Sequence, residues 1–394
     1  MRLSGIAFFY FMQKFEDLFS INNLISAFYD CRKNNHWKES THKYEANLMQ
    51  NSLELHEELM SGNYRVTPKY EFTINERGKT RQIKAPALRD RVVQKILCNN
   101  VLIPTLKPYL IYDNYASLKD RGTALARKRM EMILREWISV NGSEGHIALI
   151  DIHDFFASIV HWILKQQYHE KIFEEERTMD LIDYSVDTSG EDGKGMNLGS
   201  EVPQISAIYY PFRMDNYFRI VKGNRTYGRY MDDTKMLEIS KDAAHDDIGH
   251  AQEILGSLEL ELNMKKTQVV KISHGFTYLQ TKYDIDHGKL ITRPTHKKIE
   301  REKNKLRSYR HLLNEGKLES YDISLWYKAW RQGLLHDYNS CWKTVNSLDD
   351  YFEALFPEIG HPQKILREEM IKKAFKEARD EDLLYYRQVT KGKT

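Results

Sequence analysis

TYGRYMDDTKMLEI, residues 226–239, decides the fold. Apolar and polar residues alternate on either side of Met231, Asp232 and Asp233, the pattern of two short strands joined by a tight turn. Such a turn presents the adjacent carboxylates of Asp232 and Asp233 at a hairpin tip. Upstream, HIALIDI (146–152) is a continuous apolar run ending in charge, as expected of a buried central strand that delivers Asp151 at its end. Two acidic strand ends supply the hard oxygen ligands that Mg²⁺ takes together with water and phosphate. A pair of such ions about 4 Å apart stabilises both the attacking and the leaving oxygen of an in-line phosphoryl displacement.

Around these segments strands alternate with helices, which predicts an α+β fold. Residues from about 15 to 64 read as helical, with Leu53, Leu55 and Leu59 near one face. YEFTINERGKTRQIKAP (70–86) alternates on both sides of a glycine-containing turn and predicts a basic hairpin carrying Arg77, Lys79, Arg81 and Lys84. Helices are expected over 89–106 and 122–138, over VPQISAIYYPFRMDNYFRI (202–220) as one long element, and from about Asp242 to Leu258. After Gly288 the composition shifts: Lys289 to Arg310 holds nine Lys or Arg against Glu300 and Glu302. The apolar run from Ile6 to Met12 is too short to span a bilayer and reads as the packed start of a helix.

The 394 residues are enough to bury a sizeable core without staples. With 59 Lys and Arg against 56 Asp and Glu, the net charge of +3 means that a polyanion must be met by local clustering. Cys31, Cys98 and Cys341 are too few and too scattered for a disulfide framework or a zinc knuckle, which fits a reducing, cytoplasmic setting. No segment approaches a membrane span, and His245 and His250, five apart on a helix, make no metal pair.

The order basic hairpin, Asp strand, glycine loop, YMDD hairpin, LNMKKT (262–267) and GFTYLQ (275–280) resembles the sequence blocks of reverse transcriptases, over roughly residues 20 to 345. Within them it is most similar to the prokaryotic group II intron, retron, diversity-generating and defence-associated branch. The resemblance implies a right-hand polymerase fold. Residues 1–64 would form an N-terminal helical extension and the start of the fingers, 65–145 the fingers, 146–290 the palm, 291–345 a helical thumb and 346–394 a C-terminal helical extension. It implies Asp151, Asp232 and Asp233 as ligands of two Mg²⁺ ions, with Mn²⁺ as the substitute, and Lys266 as a catalytic group near the leaving pyrophosphate. Lys79 and Arg81 would meet the incoming triphosphate and Phe156 would exclude a ribose 2′-hydroxyl. Leu198 and Gly199, in GMNLGSEVPQISA (195–207), would lie under template and nucleotide. Asp154 is expected to face away. Lys297, Lys298, Arg301 and Lys305 of the basic thumb helix, with Tyr278 of the primer grip, would contact nucleic acid, while Trp326 and Trp330 read as core.

Where many relatives have Gln before the glycine and Ser-Pro after it, this chain has Leu198, Gly199, Pro203 and Gln204, a pattern similar to the diversity-generating and related non-mobile branches. Loss of a polar contact at Leu198 would relax discrimination between nucleotides. No HNH-type, CxxC-bearing, integrase, protease or RNase H block is recognisable, so a self-sufficient mobile element is not expected. The resemblance thus implies an RNA-directed DNA polymerase that uses dNTPs, a noncoding RNA template and a DNA product, in antiphage defence. A homo-oligomer or an accessory protein would be a further partner, and no membrane is expected. The alternatives are a diversity-generating enzyme with an accessory protein and a catalytically idle RNA-binding scaffold.

Overall fold

The computed structural model describes residues 13–33, 35–76 and 79–362. The expected helix start at 6–12 and most of the expected extension at 346–394 lie outside them. The chain divides into two compact units after Ser273, ahead of the compositional shift near residue 290. The boundary falls early because the strands after it are tied to the later helices, as described below.

In the first unit, helices α1 (Phe15–Leu18), α2 (Ile21–Arg32), α3 (Glu39–Ala46) and α4 (Leu48–Met60) precede the hairpin β1 (Tyr70–Glu76) and β2 (Lys79–Ala85). On α4, Leu55 and Leu59 are buried one turn apart, whereas Leu53 is exposed. Two residues along a helix is a turn of about 200°, so Leu53 cannot share the face of Leu55. Next come α5 (Leu88–Leu97), a π-type turn at Cys98–Leu102, α6 (Ile103–Leu106) and α7 (Thr123–Asn141). Val92, Val93, Ile96 and Leu97 of α5 are all buried.

The centre of this unit is a four-stranded antiparallel sheet. Strand β3 (His146–Ile150) lies between β5 (Asp233–Glu238) and β6 (Gln268–Lys271), with β4 (Gly228–Tyr230) on the outer edge of β5. Having a neighbour on each side and covered faces explains why β3 is a continuous apolar run instead of an alternating one. Helices α8 (Phe155–Ser158), α9 (His161–His169) and α10 (Glu176–Asp187) follow β3. The long helix expected over 202–220 is broken in two, α11 (Glu201–Tyr209) and α12 (Phe212–Asn216). Pro211 at the junction cannot donate to the helical ladder and clashes with the preceding turn. Helix α13 (Lys241–Gly256) starts at Ser240, whose hydroxyl accepts from the Ala243 amide at 3.1 Å, and buries Ala244, Ile248, Ala251 and Leu255. One apolar core, including Leu97, Leu102, Ile150, Tyr168, Ile208, Phe218 and Leu255, runs from the early helices to the sheet.

The second unit has a three-stranded antiparallel sheet, β7 (Phe276–Tyr278), β8 (Thr281–Asp286) and β9 (Lys289–Pro294), and helices α14 (His296–Asn314), α15 (Ser320–Asp337) and α16 (Trp342–Leu355). Asn339, just past α15, is bonded to β9 on both sides: its carboxamide oxygen accepts from Thr292 N at 2.7 Å and its Nδ2 donates to Leu290 O at 2.8 Å. Helix α14 buries Ile299, Glu302 and Leu306 at helical spacing. All three cysteines are buried and unpaired. No helix among the described residues is long and apolar enough to cross a membrane.

Candidate active site

The antiparallel register sets the site. The last paired residues of β3 and β5 are Ile150 and Thr234, so one step beyond them Asp151 and Asp233 leave the same end of the sheet side by side. Asp232 adjoins them in the two-residue connection from β4 to β5, where Tyr230 pairs with Asp233. Asp151 is 7% exposed, and Asp232 and Asp233 are half-buried.

Residues 262–267 fold around Asp151. The Asn263 amide donates to the Asp151 carbonyl at 2.8 Å, and its Nδ2 donates to Oδ1 at 2.8 Å. Lys266 Nζ donates to both carboxylate oxygens, at 2.7 and 2.8 Å. Burial works against the Lys266 charge. The bond to Asp151 and the attraction of Asp151, Asp232 and Asp233 outweigh it and hold the ammonium above its ordinary pKa. Three carboxylates therefore act on one cation. In the pair Lys265–Lys266, it is Lys266 that is placed on Asp151.

The turn that carries Asp232 is strained and pinned. Met231 adopts φ +55°, a left-handed conformation that costs a side-chain-bearing residue free energy. Arg229, fully buried, donates from Nη1 to the Met231 carbonyl at 2.9 Å. The same guanidinium forks onto Asp215 of α12 at 2.8 and 2.7 Å and reaches the Ile208 carbonyl of α11 at 2.7 Å. Tyr227 OH adds a 2.6 Å bond to Asp215. Arg229 is thus a positioning residue that ties the acidic turn to two helices. Sequence reading passed over it and over Asn263, although both stand beside the motifs; their partners are set by tertiary register.

Phe156 lies on α8, half-buried against the core and edge-on to Phe155 at 5.7 Å. Its carbonyl accepts from the Met196 amide at 2.7 Å, which ties the Asp151 segment to the glycine loop. That loop reaches the hairpin: Gly199 has φ +114°, and a Cβ there would stand 3.3 Å from Ile83 Cγ2 on β2. Lys79 and Arg81 lie on β2, opposite Glu76 and Ile74. Leu198 is half-buried, and Asp154 points outward, its side chain 76% exposed.

In the second unit, Lys297, Arg301 and Lys305 recur every four residues along one side of α14. Arg301 also bonds Gln280, Lys298 Nζ donates to Tyr338 OH at 2.9 Å, and Lys305 lies 3.9 Å over the Trp326 ring. Trp326 and Trp330 stack on the core, as expected. Tyr278 is buried on the inner face of its strand, with Thr277 facing outward.

The profile of the family described as reverse transcriptase (RNA-dependent DNA polymerase) matches residues 67–283, more than half of the chain. The chain belongs to the reverse transcriptase family. No curated protein matches this reverse transcriptase in sequence. Among solved structures it is similar to telomerase from Candida albicans in complex with a TWJ fragment of telomeric RNA. The identity is 11%, over 75% of this chain and 60% of that one, with a TM-score of 0.44. It is also similar to apo telomerase from Candida tropicalis truncated from the C-terminal domain, at 12% identity over 63% and 60% of the chains, with a TM-score of 0.41. The chain thus spans about three fifths of the length of these two telomerase chains.

Proposed function

We propose that this chain is an RNA-directed DNA polymerase that copies a dedicated noncoding RNA into DNA from dNTPs, in an antiphage defence system. The observation that carries the polymerase reading is that Asp151, bonded to Lys266, and Asp233 leave the same sheet end beside Asp232, in a reverse transcriptase family chain. The Leu198–Gly199 to Gln204 pattern supports a non-mobile enzyme, which takes in the diversity-generating alternative as well as the defence role.

The donor set suits a hard divalent cation, since it offers carboxylate oxygens and a cation already stands against Asp151. As arranged, no group of three or more His, Cys, Asp or Glu among the described residues is assembled around a metal position. Asp151, Asp232 and Asp233 are the residues that would hold Mg²⁺ or Mn²⁺, with Lys266 giving up its hold on Asp151. When bound, two such ions supply charge stabilisation at the attacking 3′-oxygen and the leaving pyrophosphate.

The remaining work falls to side chains. Arg229 and Asn263 hold the carboxylates in place, so that little reorganisation is left for the reaction itself. Lys266, once released, lies within the site as a charge partner for pyrophosphate. Lys79 and Arg81 would meet the triphosphate from β2, and Phe156 would crowd a 2′-hydroxyl. Lys297, Lys298, Arg301 and Lys305 would follow the nucleic-acid backbone.

The test is to purify the protein with its co-purifying RNA, sequence that RNA, and supply Mg²⁺ and dNTPs beside an Asp232→Ala control. Asp232-dependent DNA complementary to a discrete RNA is the expected result. Bound RNA with no DNA under any metal would replace the polymerase reading with the scaffold reading.

A further inference from the structure

The segment 112–122 joins the edge of the catalytic sheet. Tyr115 N donates to the Arg229 carbonyl at 2.9 Å and Arg229 N to the Asp113 carbonyl at 3.0 Å, so Asn114 pairs beside β4 in parallel. Asp113 is fully buried and accepts two bonds from Arg129 of α7, at 2.7 and 3.0 Å. The base of the segment is therefore fixed to the hairpin that carries Asp232.

Beyond that base the segment walls a cavity of about 440 Å³, into which Lys107, Lys119 and Arg121 project with Tyr112; Asp120 is its one acidic lining residue. This lining differs from the usual surface, where charges of both signs are interspersed. Arg121 Nη1 donates to the Tyr112 carbonyl, which holds its guanidinium at the cavity beside the Tyr112 ring. The Tyr112 ring is largely exposed, with the Arg121 guanidinium 4.8 Å and that of Arg129 5.4 Å from its centroid. Ser117 and Asp120 hold left-handed backbone, φ +52° and +62°. The 19-residue α7 opens onto the cavity at Leu125, with no side-chain cap on Gly122 and no acidic residue in its first turn. Its free amides and dipole add positive potential to the three side-chain charges.

We propose that this cavity seats the sugar-phosphate backbone of a nucleic-acid strand, held without regard to sequence by Lys107, Lys119, Arg121 and the start of α7. The inference rests on the polymerase reading and extends it to a contact off the edge of the catalytic sheet. A strand fits better than a free nucleoside triphosphate. A triphosphate arrives with Mg²⁺ and calls for carboxylates, of which the cavity offers one, whereas a backbone calls for cations and an open path.

The experiment measures binding of a labelled RNA–DNA primer–template hybrid to the full chain by fluorescence anisotropy, from about 50 to about 300 mM KCl. Wild type is compared with Lys119→Glu/Arg121→Glu and with a matched reversal on α3, Lys38→Glu/Lys43→Glu. Removing two phosphate contacts should flatten the slope of log K against log salt by about 1.8 and weaken binding about tenfold or more at low salt. The α3 pair should move it by less than half as much, and the KM for dNTPs should not rise in either variant. An unchanged slope, an equal effect from the α3 pair, or a raised dNTP KM with the slope intact would each overturn the proposal; the last would make the cavity a nucleotide site. Wild type that binds but never extends the hybrid would sink the polymerase reading while leaving the slope comparison valid, and wild type that does not bind would sink both.

Discussion

The hairpins β4–β5 and β1–β2 are built from the same pattern of alternation and a short polar turn, yet the molecule treats them oppositely. β5 runs through the interior: Thr234, Lys235, Met236 and Leu237 are all buried, and Arg229 locks the turn to α11 and α12. β1 instead leaves Tyr70, Phe72 and Ile74 exposed on alternate positions. The β1–β2 hairpin is secured from one end of the chain path, where buried Asp90 gathers Tyr64 OH at 2.9 Å and Thr67 Oγ1 at 2.5 Å, and by Lys84 bonded to Glu191. The acidic turn is thus fixed by buried bonds to two helices, whereas the outer hairpin leaves one apolar row uncovered.

The comparison can be broken most sharply at the acidic turn. Asp232→Ala should cut primer extension on the order of a thousandfold while leaving the urea midpoint nearly unchanged. Retained extension would show that the pinned turn is not where the chemistry lies. Next in size, Asp215→Asn or Arg229→Met should cost about 3–5 kcal/mol of unfolding free energy, since each strands a buried partner. The double variant should recover part of that loss, and full additivity would mean that the two side chains do not act as a pair.

Lys235 tests the same buried strand through pH. Burial pushes its amine down to about 7 from 10.5, so between these values the unfolded chain binds the proton and the folded chain does not. Stability should therefore rise with pH across that window, and Lys235→Met should remove the rise and stabilise the protein at pH 7 and below. A slope that survives the substitution belongs to another group.

Lys266→Met removes the cation that competes for Asp151. The Mg²⁺ concentration giving half-maximal extension should fall by up to about fivefold, the worth of one partly exposed ion pair, even as the maximal rate drops. A rise in that concentration would make Lys266 a helper of metal binding. The smallest effect belongs to the outer hairpin: Tyr70→Ser and Phe72→Ser should each shift the urea-derived stability by under about 0.5 kcal/mol. A larger loss would show that the exposed face is covered.

Much of this was legible in the residues, and the reasons are local. A run buried on both faces announces itself as β3, and alternation around Met231–Asp233 announces β4–β5, because both patterns follow from the two-residue period of a strand. What escaped depends on distant partners. Arg229 looks like any arginine until Asp215 and the Met231 carbonyl are beside it, and Asn263 gains its role only when residues 262–267 wrap the end of β3. That Tyr278 lies inward and Thr277 outward depends on the parity of a three-residue strand, too short for alternation to show. Pro211 was visible, but the apolar residues on both sides of it masked the break.

The ammonium of Lys266 seated on Asp151 also bears on how such a site can be assembled at all. Three neighbouring carboxylates with nothing between them would push β3 and the β4–β5 turn apart. A counter-ion supplied by the chain itself relieves that repulsion, so the end of the sheet can close without any cation from outside.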